Sequence, residues 1–329
     1  PDEATLAKAA PVAGAEGGAE TKAAPSDGGS FLKDSSFLVS FRDLIIGPKI
    51  GSGSYATVHE AKFQGTHVAV KKLHAKGLPE KVRQSFFKET KLMSTLRHPN
   101  LVLLIGVVSE PDNLLMITEL MTRGSLFDAY HDEPRPQAHT THLRRVLGVA
   151  ADMARGMAYL HGRDPPIVHR DLKSPNVLVS EQWTCKIGDF GLSRVRDVSR
   201  TMTRLGSPLW VAPEVLRGER FDERCDQFSF AVIVSEAVWW DEPYPGIPSM
   251  KVMKGVAFKN LRPQLPDFCP PTLSLVMQQC WRGEFRLRPR FDAVLDALTR
   301  STTLLEASAS LEEFWAADQQ LVAVLSQGG

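Results

Sequence analysis

Between Val168 and Gly191 the chain brings two carboxylates, an amide and a lysine into short polar stretches set between apolar runs. The first stretch is Val168-His169-Arg170-Asp171-Leu172-Lys173-Ser174-Pro175-Asn176, and Asp189-Phe190-Gly191 begins thirteen residues after Asn176. Val177-Leu178-Val179 follows the first stretch and Lys186-Ile187 precedes the second. Each apolar run reads as a short buried strand, so the pair reads as a hairpin with polar ends. Such a hairpin gathers a proton acceptor and metal ligands on one rim. Oxygen ligands for Mg²⁺ and a carboxylate that orients a hydroxyl are what phosphoryl transfer from a nucleotide requires. Asp171 taken alone is better read as a turn or capping residue. The ordered string, with a second motif at this distance, is what points to chemistry.

H-R-D-L-K-x-x-N followed by D-F-G resembles the catalytic core of a protein kinase. The resemblance covers about residues 44–300. It implies an α+β, bilobal protein-kinase fold. A small antiparallel β-sheet N-lobe with the family's helix αC would occupy about 44–118, a hinge 119–124, and a larger, mainly α-helical C-lobe 125–300. It further implies ATP and Mg²⁺ as cofactors and a protein hydroxyl as acceptor. Asp171 would orient or accept the hydroxyl proton, and Asn176 and Asp189 would hold the metal. Lys71, fixed by Glu89, would sit on the α- and β-phosphates, and Lys173 would neutralise the γ-phosphoryl.

The elements that must position these groups follow the same order. Leu44-Ile45-Ile46 leads to Lys49-Ile50 and then to Gly51-Ser52-Gly53-Ser54-Tyr55-Ala56-Thr57-Val58. A G-x-G-x-x-A string also satisfies the dinucleotide fingerprint, which requires a helix after the glycines and an acid about 20 residues on. Here Thr57 to Phe63 alternates like a strand, Gln64-Gly65 turns, and His67-Val68-Ala69-Val70-Lys71 reads as a second strand, with Lys71 near the place of the expected acid. A strand–turn–strand flap is the kinase-type glycine-rich loop, whose amides approach phosphate because Gly51 and Gly53 lack a Cβ. Ala56 stands where the family has a third glycine, which predicts a stiffer loop. Lys71 is either a surface strand lysine or the inward phosphate contact; its place at the end of Val68-Ala69-Val70, matching the family's V-A-I-K, favours the second. Glu80 to Leu96 reads as a helix, and Glu89 stands nine residues before His98-Pro99-Asn100, as the family's glutamate usually does. Leu101–Val108 and Leu114–Glu119 read as a hairpin. By the resemblance Thr118 is the gatekeeper, Glu119-Leu120-Met121 is the hinge meeting the adenine edge, and Val58, Ala69 and Leu178 sandwich the ring.

In the larger lobe, Val146, Leu147, Ala150, Met153, Met157 and Leu160 form a 3.6-residue stripe, so 143–161 reads as a helix. The preceding 132–142 reads as a polar loop in which His139 and His142 are solvated. Gly206 to Glu214 resembles the family's G-T-P-x-W-M-A-P-E, so Asp189 to Glu214 is the expected activation segment. Ser199, Thr201 and Thr203 are its candidate phosphosites, for an upstream kinase or for autophosphorylation, and a phosphate there could pair with Arg170. Asp226 to Trp240 is apolar nearly all round and reads as a buried helix. Cys280-Trp281 to Phe291 matches the family's C-W…R-P-x-F, with Arg288 expected to pair with Glu214. The string is nearest the tyrosine-kinase-like group, of Raf and mixed-lineage type. Lys173 two residues after Asp171 favours Ser/Thr acceptors, and Ser207 stands where such kinases carry a Thr that contacts that Lys and Asp. The rival reading, a nucleotide-binding pseudokinase scaffold, usually shows loss at Lys71, Asp171 or Asp189, and all three are present.

The flanks lie outside this pattern. Residues 1–36 are rich in Ala, Gly, Pro, Ser and Glu with almost no large apolar side chains, and read as a disordered linker without a signal sequence. Beyond Thr299, Leu304, Ala307, Leu311, Trp315, Val322 and Leu325 fall at helical spacings, with Asp318 filling a gap in the stripe. Residues 301–329 therefore read as an amphipathic helical extension that packs on the large lobe or on a partner. With 39 Lys and Arg against 38 Asp and Glu the net charge is +1, and nothing points to nucleic acid or to an anionic membrane. The four cysteines form no C-x-x-C pair, which fits a reducing, cytoplasmic setting. No run of 18 apolar residues offers a membrane span, and Pro1 at the start reads as the edge of a fragment, which leaves an anchor elsewhere in a parent protein open.

Overall fold

The computed structural model describes residues 36–53, 55–74, 79–190, 194–195 and 208–327. Five antiparallel strands come first: β1 (Leu44–Ser52), β2 (Ala56–Phe63), β3 (Thr66–Leu73), β4 (Leu104–Glu110) and β5 (Asn113–Glu119), in the spatial order β1-β2-β3-β5-β4. Helix α1 (Glu80–Ser94) lies between β3 and β4 in sequence. Alternation gives the sheet two faces. Val68 and Val70 of β3, with Ala61, Leu115 and Ile117, form a small apolar cluster on one face. Ala69 and Lys71 point to the other. The free edge of β4 is covered by the chain that enters the domain: Val39 N donates to Val107 O at 2.9 Å and Val107 N donates to Phe37 O at 2.8 Å.

The second half is helical around a single buried rod. Helices α2 (Leu126–Asp132) and α3 (His139–His161) are followed by β6 (Ile167–Val168), the hairpin β7 (Val177–Val179) and β8 (Cys185–Ile187), and β9 (Arg194–Val195), which pairs with β6. Then come α4 (Pro213–Leu216), α5 (Cys225–Trp239), α6 (Ser249–Phe258), α7 (Pro271–Cys280), α8 (Phe291–Ala307) and α9 (Leu311–Gln327). Every residue of α5 except Trp239 is buried. The helix that reads as apolar all round is the core against which α3 and α7 pack. Gly156 lets α3 lie close to the hairpin: a Cβ there would stand 2.8 Å from Asn100 O and 3.0 Å from Ile187 Cδ1.

Two sequence expectations change. The loop expected over 132–142 ends earlier, because α3 starts at His139. His142 is not solvated: it is buried, and its Nε2 donates to Val238 O at 3.0 Å. Burial among apolar and aromatic neighbours pushes its pKa down to about 4. Asp318 does not merely interrupt the α9 stripe. It is fully buried, accepts Thr272 N at 2.8 Å at the start of α7 and Ser301 Oγ at 2.6 Å from α8, and so docks α9 on both helices.

Candidate active site

Strand register assembles the small-lobe part of the site. Gly51 pairs with Val58, Val58 with Lys71 and Lys71 with Met116, one row across four strands. Ala69 pairs with Thr118 two residues along, on the same face. Val58, Ala69, Thr118 and Leu178 are each only partly covered, whereas Met121 is buried. Ile50, Ser52, Gly53 and Tyr55 are exposed at the turn, with Gly53 N donating to Ala56 O at 2.8 Å. Ala56 and Thr57 stand at the start of β2, opposite Leu73 and Lys72. Ser54 lies outside the described residues, as do Ser199, Thr201, Thr203 and Ser207.

Lys71 Nζ lies 3.3 Å from Glu89 Oε1 and 3.3 Å from Asp189 Oδ1, so one ammonium joins β3, α1 and the segment after β8. Glu89 comes from the buried face of α1, beside Phe86, Thr90 and Met93. Burial alone would lower the Lys71 pKa, but the two carboxylates outweigh it and hold the group firmly protonated. For Asp189, burial works to raise the pKa and the adjacent Lys71 ammonium prevails, holding it below the usual carboxylate value. Asp189 therefore stands ionised.

The catalytic stretch is similarly convergent. Lys173 Nζ lies 2.8 Å from Asp171 Oδ2. Asn176 Nδ2 donates to Asp171 O at 2.8 Å and to Asp171 Oδ2 at 3.1 Å, which turns the amide oxygen of Asn176 away from Asp171. Gly188 N donates to Asn176 O at 2.9 Å, so Asn176 and Asp189 sit at adjoining ends of the β7–β8 hairpin. Among the described residues no cluster of three His, Cys, Asp or Glu could hold a metal. What the site presents is a carboxylate and an amide oxygen. That hard-oxygen pair fits Mg²⁺, which keeps several waters and takes further ligands from phosphates.

Two residues next to the chemistry have left-handed backbones, Arg170 at φ 68° and Asp189 at φ 55°. Strain of this kind, about 1–3 kcal/mol per residue, persists only when the surroundings hold it. Asp226 supplies the hold at Arg170, a role the sequence reading did not assign. Its buried carboxylate accepts His169 N at 2.8 Å, Arg170 N at 2.9 Å and the Nε2 proton of His161 at 2.9 Å. Burial pushes the Asp226 pKa up, yet the His161 hydrogen bond and charge more than offset this and keep it lowered. The available signal was an acid in the first turn of a helix that is apolar nearly all round. His169 closes the link on the other side, with its Nε2–H donating to Gly188 O at 3.1 Å and its ring against Phe190. Glu119 at the expected hinge has its carboxylate taken by Lys186 Nζ at 2.7 Å and by Leu103 N at 2.8 Å. Its backbone N–H is committed as well, donating to Leu103 O at 3.2 Å.

Farther down, Arg288 and Glu214 form a bidentate pair at 2.7 and 2.8 Å, both fully buried.

Comparison with known proteins agrees with this assembly. The chain is 37% identical over 302 residues to the probable serine/threonine-protein kinase SIS8 of Arabidopsis thaliana, covering 87% of this chain and 29% of that protein. It is 42% identical over 259 residues to the serine/threonine-protein kinase CTR1 of the same plant, covering 78% of this chain and 31% of that one. To the probable serine/threonine-protein kinase drkA of Dictyostelium discoideum it is 38% identical over 260 residues, 79% of this chain and 40% of that one. The chain thus spans between about three-tenths and two-fifths of the length of these relatives. The family profile for protein tyrosine and serine/threonine kinases matches residues 44–298, from the first residue of β1 into α8. A lysine bridging two acids across two lobes, a tethered Asp–Lys–Asn stretch and this match over residues 44–298 place the chain in the protein tyrosine and serine/threonine kinase family.

Proposed function

We propose that this domain transfers the γ-phosphate of ATP to Ser or Thr hydroxyls of protein substrates. The observation that carries the reading is the single Lys71 ammonium held within 3.3 Å of both Glu89 and Asp189. Lys71 meets the α- and β-phosphates. The adenine lies among Val58, Ala69, Thr118, Met121 and Leu178 against the hinge backbone at Glu119, under the turn Ile50 to Thr57. Asp171 orients the acceptor hydroxyl and takes its proton as the hydroxyl oxygen bonds to the γ-phosphorus and the bond to the β-phosphate oxygen breaks. Lys173, already beside Asp171, neutralises charge on the moving phosphoryl group. Asp189 and Asn176 would hold Mg²⁺, which when bound neutralises phosphate charge. Most of the acceleration comes from positioning and preorganised charge.

The Ser/Thr preference rests on Lys173 in contact with Asp171 and on the names of the relatives. A pseudokinase scaffold is disfavoured because Lys71, Asp171 and Asp189 all carry their charges into one site. Phosphorylation of Ser199, Thr201 or Thr203, by the domain itself or by another kinase, would add control. The test is radiolabel transfer from ATP to a generic basic protein, followed by phosphoamino-acid analysis and mapping of autophosphorylated residues by mass spectrometry. Phosphoserine or phosphothreonine is expected; phosphotyrosine alone, or no transfer, would overturn the assignment. No helix among the described residues is long and apolar enough to cross a membrane.

A further inference from the structure

Past Trp239 the sequence Trp240-Asp241-Glu242-Pro243-Tyr244-Pro245-Gly246-Ile247-Pro248 cannot continue a helix. Trp240 turns left-handed at φ 59° and Gly246 at φ 73°, and three prolines withhold the N–H groups that a further turn would need. The chain therefore runs free of helix until α6 begins at Ser249. Together with Leu261 to Gln264 it walls a cavity of about 420 Å³. That volume lies in the range of small-ligand sites. None of the residues lining it belongs to the candidate active site.

The wall is apolar and the rim is acidic. Trp239 is 38% exposed and Ile247 40%, and both line the cavity with Leu261. The Trp239 indole has spent its one polar atom, since Nε1 donates to Gln264 O at 2.7 Å. An edge-to-face contact with Phe268, centroids 5.9 Å apart, holds the ring. What Trp239 offers a ligand is its π system. Asp241 and Glu242 are exposed, and no cation among the described residues pairs with either. Farther in on α5, buried Glu236 accepts Ser174 Oγ at 3.0 Å and Trp210 Nε1 at 2.7 Å; burial first, and then the charge of Glu242, hold its pKa up. The field of the rim is thus negative. Arg262 is also on the wall but is engaged by carbonyls: Nε donates to Trp281 O at 2.7 Å and Nη1 to Leu261 O at 2.8 Å, with the guanidinium over the Phe228 ring at 4.9 Å. A separate observation points to a polar ligand. Tyr244, another wall residue, is 4% exposed, and its hydroxyl meets no hydrogen-bond partner among the described residues. Buried polar groups are ordinarily paired.

We propose that this cavity binds an organic cation carried on an apolar body, in its simplest form an arylalkylammonium, with the charge at Asp241 and Glu242, the body against Trp239, Ile247 and Leu261, and the Tyr244 hydroxyl as a further acceptor. An anion would meet two carboxylates, whereas a cation meets both and the face of an aromatic ring. The inference does not depend on the kinase reading, and its failure would leave that reading standing.

The test uses the full chain labelled with ¹⁵N-tryptophan, the Trp239 indole signal being assigned by its loss in Trp239→Phe. The probes are 2-phenylethylammonium, the neutral 2-phenylethanol and the anionic 3-phenylpropionate, at pH 7. The ammonium is expected to move the Trp239 signal to saturation with a Kd of about 1 mM or tighter, as a ligand of this size allows. The alcohol should bind at least about tenfold more weakly and the carboxylate not at all. The double variant Asp241→Asn, Glu242→Gln should lower affinity for the ammonium about tenfold, and Tyr244→Phe about threefold. Phosphate transfer without probe should stay within about twofold in each variant. A blocked Phe-Lys dipeptide amide carries the same chemistry on a peptide: if it binds more tightly than the free amine the natural source is a partner segment, and if more weakly, a small amine. Equal affinity for ammonium and alcohol, wild-type affinity in the double variant or in Tyr244→Phe, or an unmoved Trp239 signal at about 10 mM ammonium would overturn the proposal.

Discussion

Lys71 and Lys72 are neighbours of the same type with opposite fates. One ammonium is enclosed by Glu89 and Asp189, and the other lies over the Phe41 ring at 5.4 Å on the opposite face of the sheet. Strand alternation alone makes the difference. Lys71→Met is therefore expected to lower phosphate transfer by about 10³-fold or more, the scale on which preorganised charge acts at such centres. The chain should still unfold cooperatively on heating, because Glu89, left buried without its partner, takes up a proton rather than remaining an unpaired charge. Asp171→Asn should reduce transfer comparably while leaving ATP affinity nearly unchanged, as measured by titration calorimetry. Undiminished transfer in either variant would remove the assigned roles. At this scale the charged site was legible, because its residues come in short ordered strings. Asp226 and Glu236 were not, because each is an isolated acid in the same largely apolar helix, recognisable only once the loop it meets has been folded against it.

Among the elements, the link between α4 and the segment before α8 is the sharpest case of a pair that cannot be broken cheaply. Arg288 and Glu214 are desolvated together, so Arg288→Leu strands a buried carboxylate. The expected loss is roughly 3–5 kcal/mol, read from urea unfolding at neutral pH. A loss under about 1 kcal/mol would mean the pair is solvated. Helix α9 gives a contrasting prediction. Asp318→Leu removes the acceptor for Thr272 N and Ser301 Oγ and leaves both donors buried. It should lower the thermal midpoint by several degrees, at about 1–3 kcal/mol per unsatisfied group, while kcat stays within about twofold because the site is elsewhere. A variant as stable as the wild type would show that α9 is held by its apolar stripe alone. The helices were visible as periodic patterns. The meaning of Asp318 was hidden because a polar residue in an apolar stripe looks the same on paper whether it meets water or caps a neighbouring helix. The start of α3 was misjudged for a related reason: His139 and His142 are polar by type, and His142 is buried only because Trp240 and Phe268 pack around it.

For the whole molecule, ligand and proton linkage provide tests that do not depend on turnover. Mg-ATP at about 100 times its dissociation constant should add about 2.7 kcal/mol to stability and raise the thermal midpoint, while NAD should have no effect. A response to NAD alone would restore the dinucleotide reading of the glycine-rich turn. Glu236 contributes to proton linkage between pH 4.5 and 8, because burial pushes its carboxyl up from an ordinary 4.5 to about 8. The folded chain binds that proton more tightly than the unfolded chain. Its contribution is thus complete below about pH 4.5 and is lost as pH rises towards 8. Glu236→Gln has no such proton, so its stability relative to wild type should improve steadily between pH 5 and 8, measured by urea midpoints. A constant difference across that range would show that the carboxyl is ionised throughout.

By itself, the sequence determined the family-level architecture and the charged cast of the site, since both are written in local order: apolar periodicity for strands and helices, and contiguous polar strings at their ends. Tertiary structure alone decided which lone polar residues matter. Asp226, Glu236, Asp318 and His142 acquire their roles from groups 17 to 96 residues away in the chain, brought within hydrogen-bond reach only when the interior closes and water is excluded. The physical reason is desolvation. A polar group in water has no preferred partner, and in the core it must have one, so only the fold can say which residue that will be.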